Sequence, residues 1–303
     1  MRRCSLKPNE GTNVLVLVWM SLRPKQWTKN LFVFAGILFS QNLLDPLLLL
    51  KAVAAFIIFC ALSGAMYIIN DLTDREQDRD HPVKSRRPIA SGKLNRRAAV
   101  LAATILLALS LAPSYCLAPS LFLAALAYFL LQLTYSFALK HIVILDVFAI
   151  ACGFVLRVVA GAVVVAAEIS PWILICTILL ALFLALNKRR HELVALGEKA
   201  ETYRQVLADY SPYFLDQMIA AVSASTVVAY ALYTVSAETV TKFGTKNLVF
   251  TIPFVLYGIF RYQYLVHQRG EGGSPESMLV SDLPLLVDVF LWVLAVGMIL
   301  YKG

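Results

Sequence analysis

Nine apolar stretches follow one another along the chain, at about 27–44, 47–69, 96–115, 119–138, 142–166, 170–187, 213–236, 247–266 and 283–301. A helix needs about 20 mostly apolar residues to cross a bilayer core, and in lipid each spanning segment must satisfy its own backbone hydrogen bonds. The stretches therefore predict an all-α, polytopic membrane protein over residues 1–303, a single unit with nine transmembrane helices and no separate soluble domain. Composition agrees, with 59% of residues hydrophobic and only 15% charged. Such proportions exclude a soluble globule of this size, a disordered chain and a disulfide scaffold.

The charges sit in a few loops. Of the 27 Lys and Arg residues, 22 fall on one side: six through Lys29, eight in 70–97, Lys140, five in 188–210, and Arg261 with Arg269. The opposite loops carry only Lys242 and Lys246. The positive-inside rule then places the N-terminus and the charged loops in the cytoplasm. The net charge of +8 points to membrane lipids and phosphorylated substrates, not to nucleic acid. Arg2, Arg3 and Lys7 before an apolar run superficially resemble a signal peptide, but Arg23-Pro24-Lys25 follows in place of a cleavage site, so the segment is read as retained. The four histidines and five cysteines have no metal-ligand spacing.

The second span runs into Asn70-Asp71-Leu72-Thr73-Asp74-Arg75-Glu76-Gln77-Asp78. Asp71, Asp74 and Asp78 are three and four residues apart, one face of a continuing helix, where like charges repel. A divalent cation reverses that sign, and Mg²⁺ commonly bridges protein carboxylates to substrate phosphates. The plain alternative is a solvated loop with its arginines paired to its acids. The acids begin at the membrane boundary, in helical phase and beside Asn70, which favours a metal-diphosphate site. Lys84 and Arg87 follow in the same loop and supply the cations that a polyanion requires. On the fifth span, Asp146 and Arg157 lie eleven residues apart and return to nearly one azimuth. Each is costly in lipid, so both are expected to face a polar cavity, with Arg157 holding a phosphate or a polar helix partner. Tyr135 and Lys140, at the end of the fourth span, face the same side.

Asn70-Asp71-x-x-Asp74-x-x-x-Asp78 with Arg87-Pro88-Ile89 and Gly92 resembles the first aspartate motif of the UbiA-type intramembrane prenyltransferase superfamily. Arg23-Pro24-Lys25-Gln26-Trp27-Thr28-Lys29-Asn30 resembles that family's first helix, and Leu145-Asp146 with Leu156-Arg157-x-x-Ala160-Gly161-Ala162 its fifth. The resemblance implies nine helices around a central cavity, a cytoplasmic cap from the 2–3 and 6–7 loops, and a bacterial-type inner or plasma membrane location. It implies Mg²⁺ on Asp71, Asp74 and Asp78, with Asn70, Lys25, Lys29, Lys84 and Arg87 on the substrate.

Most members carry a second aspartate-rich motif after helix six. Here the chain reads Asn187-Lys188-Arg189-Arg190-His191-Glu192, then Tyr203, Arg204 and Tyr210, with no Asp-x-x-x-Asp. Lys188 and Arg189 suit a substrate with an additional phosphate. With Arg261-Tyr262 and Gly270-Glu271-Gly272-Gly273, this form resembles the superfamily's phosphoribosyltransferase branch. That resemblance implies transfer from 5-phosphoribosyl diphosphate to a polyprenyl (decaprenyl-type) phosphate, releasing pyrophosphate, in synthesis of a cell-envelope arabinose-donor lipid. Lys188 and Arg189 would hold the 5-phosphate, with Glu192 and Tyr203 nearby. The alternatives are an ordinary prenyl-diphosphate-dependent transferase acting on an aromatic or lipid acceptor, and a transporter.

Overall fold

The computed structural model describes residues 13–197, 202 and 204–302, and the described residues form helices and connecting turns without strands. In chain order these are α1 (Val14–Ser21), a 3₁₀ segment (Pro24–Phe34), α2 (Ala35–Phe39), α3 (Pro46–Thr73), α4 (Arg75–Asp80), α5 (Arg96–Leu117), α6 (Pro119–Phe137), α7 (Leu145–Val164), α8 (Pro171–Leu196), α9 (Pro212–Val235), α10 (Ala237–Phe243), α11 (Ile252–Gln268), α12 (Pro275–Ser281) and α13 (Leu283–Lys302). The long helices start where the sequence signals a start. Pro46, Pro119, Pro171 and Pro212 stand in first turns, where a missing N–H costs nothing. Asp45 caps α3 by accepting from Leu47 and Leu48 N–H at 2.8 and 3.0 Å, and Asn95 caps α5 by accepting from Ala98 N–H at 2.7 Å.

Among the described residues, eight helices are long and apolar enough to cross a membrane. The chain is a multi-pass membrane protein. The count differs from nine because the first expected span, 27–44, is not one α-helix: Pro24–Phe34 is 3₁₀ and only Ala35–Phe39 is α-helical. At 2.0 Å per residue in the first geometry and 1.5 Å in the second, those 11 and 5 residues extend about 30 Å, the thickness of a bilayer core.

Polar residues explain the departure. Asn30 is fully enclosed; its Nδ2 donates to Ser63 Oγ at 3.2 Å and its Oδ1 accepts from Arg157 Nε at 2.7 Å. Arg157 also donates to Gly153 O and to Tyr128 OH, each at 2.8 Å, and lies over the Tyr128 ring at 4.7 Å. Among the described residues no acid pairs with this buried guanidinium, and these acceptors and the ring face satisfy it. The first segment is therefore drawn against α7 by polar contacts, not by continuous apolar surface.

Glycine lets it come close. A Cβ on Gly161 would lie 1.7 Å from Val33 O, and one on Gly36 would lie 2.5 Å from Ala162 N. Around this crossing Val33, Ile37, Ala55, Phe59, Leu121 and Tyr128 form one apolar core. A second unites α7, α8, α9 and α11 through Val147, Phe183, Leu186, Leu215, Ile219 and Leu265. Helix α7 belongs to both and stands at the centre of the bundle.

Two boundaries matter for the site. Helix α8 continues to Leu196, past the expected end at 187, because the lysine, arginine, glutamate and leucine side chains there are good helix formers. Helix α3 stops at Thr73, and Asp74, at φ −91° and ψ 9°, joins it to α4. The three aspartates thus straddle a one-residue break instead of lining one continuous helix.

Candidate active site

The first centre forms where α3, α4 and the 84–87 turn meet the start of the first segment. Asp71 and Asp78 are both enclosed. Arg87 Nη1 bridges them, 3.0 Å from Asp71 Oδ1 and in contact with Asp78 Oδ2. Arg23 donates to the same Asp71 oxygen. Lys84 Nζ lies 3.8 Å from Asp78 Oδ1. Asp74 accepts from Lys140 Nζ, which arrives on the turn after α6, and from Asn70 Nδ2 at 3.0 Å. A cavity of about 300 Å³ opens beside the Asp74–Lys140 pair, between residues 73–77 and 136–141.

The aspartates are thus interleaved with cations. Among the described residues, no group of three or more His, Cys, Asp or Glu side chains is arranged to hold a metal ion. The donor set itself, carboxylates beside the Asn70 amide, consists of the hard oxygen ligands that suit Mg²⁺.

A second centre lies on α6, α7, α8 and the chain before α9. Asp146 is fully enclosed and accepts from Arg189 Nε at 2.6 Å and from Tyr210 OH at 2.8 Å, with Arg204 Nη2 at 3.5 Å. Glu192 Oε2 accepts from Arg189 Nη1 at 2.9 Å, and Lys188 Nζ lies 4.0 Å from Glu192 Oε1. Tyr135 OH accepts from Arg204 Nη2 at 2.8 Å and from Arg189 Nη2 at 3.4 Å.

The two centres share a field. Burial lowers the Lys84 pKa below the ordinary lysine value; Asp78 and Glu192 oppose the shift, and Arg87 and Arg204 add to it. Lys84 of the first loop therefore sits within electrostatic reach of Glu192 and Arg204 of the second. His81 shapes the turn that carries Lys84: its Nδ1 accepts from Val83 and Lys84 N–H at 3.1 and 3.3 Å. Burial lowers its pKa too. The glycine loop closes against α8, since a Cβ on Gly272 would come within 2.8 Å of His191 Cβ. Arg261 is committed elsewhere, to Asp282 through two bonds of 3.0 and 2.7 Å.

Asn70, Asp71, Asp74, Asp78, Lys84, Arg87 and Lys140 come together at the first centre. Tyr135, Lys188 and Glu192 come together at the second centre. Arg189 also arrives there, but its side chain is 1% exposed and engaged by Asp146, Glu192 and Tyr135, so it stands inside the wall of the site. Arg157 lies deeper, in the role of a polar helix partner. Lys25 is exposed and Lys29 donates to Gln26 Oε1 at 3.1 Å. Of this entry segment it is Arg23, at φ 53° and ψ 63° just before Pro24, that reaches Asp71. Tyr203 lies outside the described residues. Sequence reasoning passed over Arg23 and Arg204 as site residues, although both are cations flanking quoted motifs.

A bundle of membrane-crossing helices with an interleaved aspartate and arginine centre at one end defines a class, and the whole sequence agrees: residues 30–294 match the UbiA prenyltransferase family, to which this chain belongs. Within it, the chain is 34% identical to the decaprenyl-phosphate phosphoribosyltransferase of Corynebacterium glutamicum, over 93% of this chain and 86% of that protein. It is 31% identical to the decaprenyl-phosphate phosphoribosyltransferase of Mycobacterium tuberculosis, over 94% of each. The fold matches a UbiA homolog from Archaeoglobus fulgidus bound to GPP and Mg²⁺, with a TM-score of 0.72 and 24% identity over 95% of this chain and all of that one.

Proposed function

We propose that this protein transfers 5-phosphoribose from 5-phosphoribosyl diphosphate to a polyprenyl phosphate, releasing pyrophosphate at the cytoplasmic face of the membrane. The observation that carries the reading is the sign of the second centre. A prenyl-diphosphate site held between two acidic clusters needs an excess of carboxylates there, whereas Lys188, Arg189 and Arg204, with Lys84 of the first loop in reach, outnumber Asp146 and Glu192. Such an array suits a donor bearing a phosphate beyond its diphosphate. The names of those two relatives agree with it.

The reaction forms a bond from the acceptor phosphate oxygen to ribose C1 and breaks the bond from C1 to the pyrophosphate oxygen. Positive charge develops on the ribosyl ring, as in other oxocarbenium-like glycosyl transfers. The acceptor is already an anion, so no general base is required. Mg²⁺, when bound by Asp71, Asp74 and Asp78, supplies neutralisation of the departing diphosphate. Arg23, Arg87 and Lys140, already beside those carboxylates, are the cations available to the diphosphate oxygens. Lys188 and Arg204 reach the 5-phosphate, and the enclosed Arg189 braces them through Glu192 and Tyr135.

The purified protein in detergent or nanodiscs should convert labelled 5-phosphoribosyl diphosphate and polyprenyl phosphate into a polyprenylphosphoryl-5-phosphoribose. Prenyl transfer to hydroxybenzoate with no phosphoribosyl transfer overturns the reading. The 5-phosphate assignment has its own test. Lys188→Ala or Arg204→Ala should weaken the donor roughly ten- to hundredfold, the worth of a charge-assisted contact, with little change for the acceptor. A donor lacking the 5-phosphate should be nearly insensitive to either change. Equal losses for both donors would reduce these residues to braces of the loop.

A further inference from the structure

The least ordinary backbone in the bundle sits two residues before Asp146. Ile144 has φ 69° and ψ −47°, a conformation that a β-branched residue adopts only under constraint. Leu145 N–H donates to Val143 O at 2.8 Å, closing a γ-turn centred on Ile144. The turn starts α7 and sets the height and direction of Asp146. The Ile144 N–H itself donates to Tyr210 OH at 2.8 Å, and the same hydroxyl donates to Asp146 Oδ1 at 2.8 Å. One phenol therefore holds both the strained turn and the carboxylate that it positions. Tyr210 is 5% exposed and stacks with Phe214. Burial, reinforced by Asp146, pushes its pKa up, so the hydroxyl stays a donor throughout the working pH range.

From this geometry we infer that Tyr210 is a positioning residue for the donor site. It keeps the Ile144 turn in its strained form and so fixes Asp146, on which Arg189 and Arg204 rest. The 3₁₀ turn Gln205–Asp209 connects Tyr210 to Arg204, so Arg204 is anchored from two directions, through the chain and through Asp146. The consequence for catalysis rests on the donor reading above; the consequence for the backbone does not.

Tyr210→Phe keeps the ring and its packing and removes only the hydroxyl. Hydrogen exchange over residues 142–147 should then accelerate, because the Ile144 N–H loses its acceptor and the turn relaxes. The dissociation constant for 5-phosphoribosyl diphosphate, measured without acceptor, and the donor KM should both rise about tenfold. The KM for polyprenyl phosphate should stay within about twofold, a split that general loosening of the bundle does not produce. Placing Ile144→Gly in the Tyr210→Phe background should recover part of the donor affinity, since glycine takes a positive φ without strain and the turn then needs no latch. Unchanged exchange in Tyr210→Phe overturns the inference whatever the substrate proves to be. Accelerated exchange with unchanged donor affinity, in a wild type that does bind the donor, also overturns it, as does a double variant no better than Tyr210→Phe. A wild type that binds no 5-phosphoribosyl diphosphate refutes the donor reading instead and leaves the exchange result to decide the role of Tyr210.

Discussion

Asp74→Asn and Asp78→Asn are each expected to cut Mg²⁺-dependent turnover on the order of a thousandfold while leaving the protein folded in the membrane. Stabilisation of transition-state charge by a metal is worth several kcal/mol, and each ~1.4 kcal/mol is a factor of ten in rate. The fold should tolerate the changes because no cation is stranded. With Asp78 neutralised, Arg87 keeps its 3.0 Å bond to Asp71, and the part-exposed Lys84 turns to water. With Asp74 replaced, the amide oxygen still accepts from Lys140, and the partly exposed Asn70 amide turns to water. Turnover at limiting Mg²⁺ and thermal unfolding of the same preparations check both halves. Near-normal turnover in both variants would dispose of the metal role.

The second large effect concerns folding. Gly161→Ala should destabilise the protein by at least ~3 kcal/mol, beyond the usual penalty for overpacking. Its Cβ would lie 1.7 Å from Val33 O, a backbone atom that cannot rotate away. Relief demands separation of the first segment from α7, which breaks the Asn30–Arg157 bond and opens the core around Val33 and Ile37. Gly297→Ala is the control, since nothing lies within 4 Å of its added carbon. Equal melting of the two variants, or monodisperse Gly161→Ala at wild-type yield, would contradict the crossing.

Most of the architecture was legible in the sequence because lipid leaves few choices. Eight of the apolar stretches became helices, and capping residues with prolines marked several of their starts. The first stretch escaped because hydropathy averages over a window, whereas the backbone there answers to three particular partners, Arg157, Ser63 and Gly161, all distant in the chain. The carboxylates and their cations were legible as a local motif. The pairing was not: that Arg23 and not Lys25 reaches Asp71 depends on a left-handed residue before Pro24, and that Arg189 turns inward depends on Asp146 of another helix. Tyr210 carried no sequence signal as a latch, since its target is a backbone N–H.

The polar crossing also bears on how the chain is made. Pro24–Phe39 contains Lys25, Gln26, Lys29 and Asn30, too many polar groups to enter lipid readily on hydrophobicity alone. Its stabilising partner, Arg157, emerges 127 residues after Asn30. During synthesis the first segment must therefore wait, shallow or shielded, until the fifth long stretch arrives with a guanidinium for Asn30 and a bare backbone for Val33. Its final insertion is then an act of tertiary assembly, and nascent chains arrested before residue 157 should leave it reachable by water-soluble reagents.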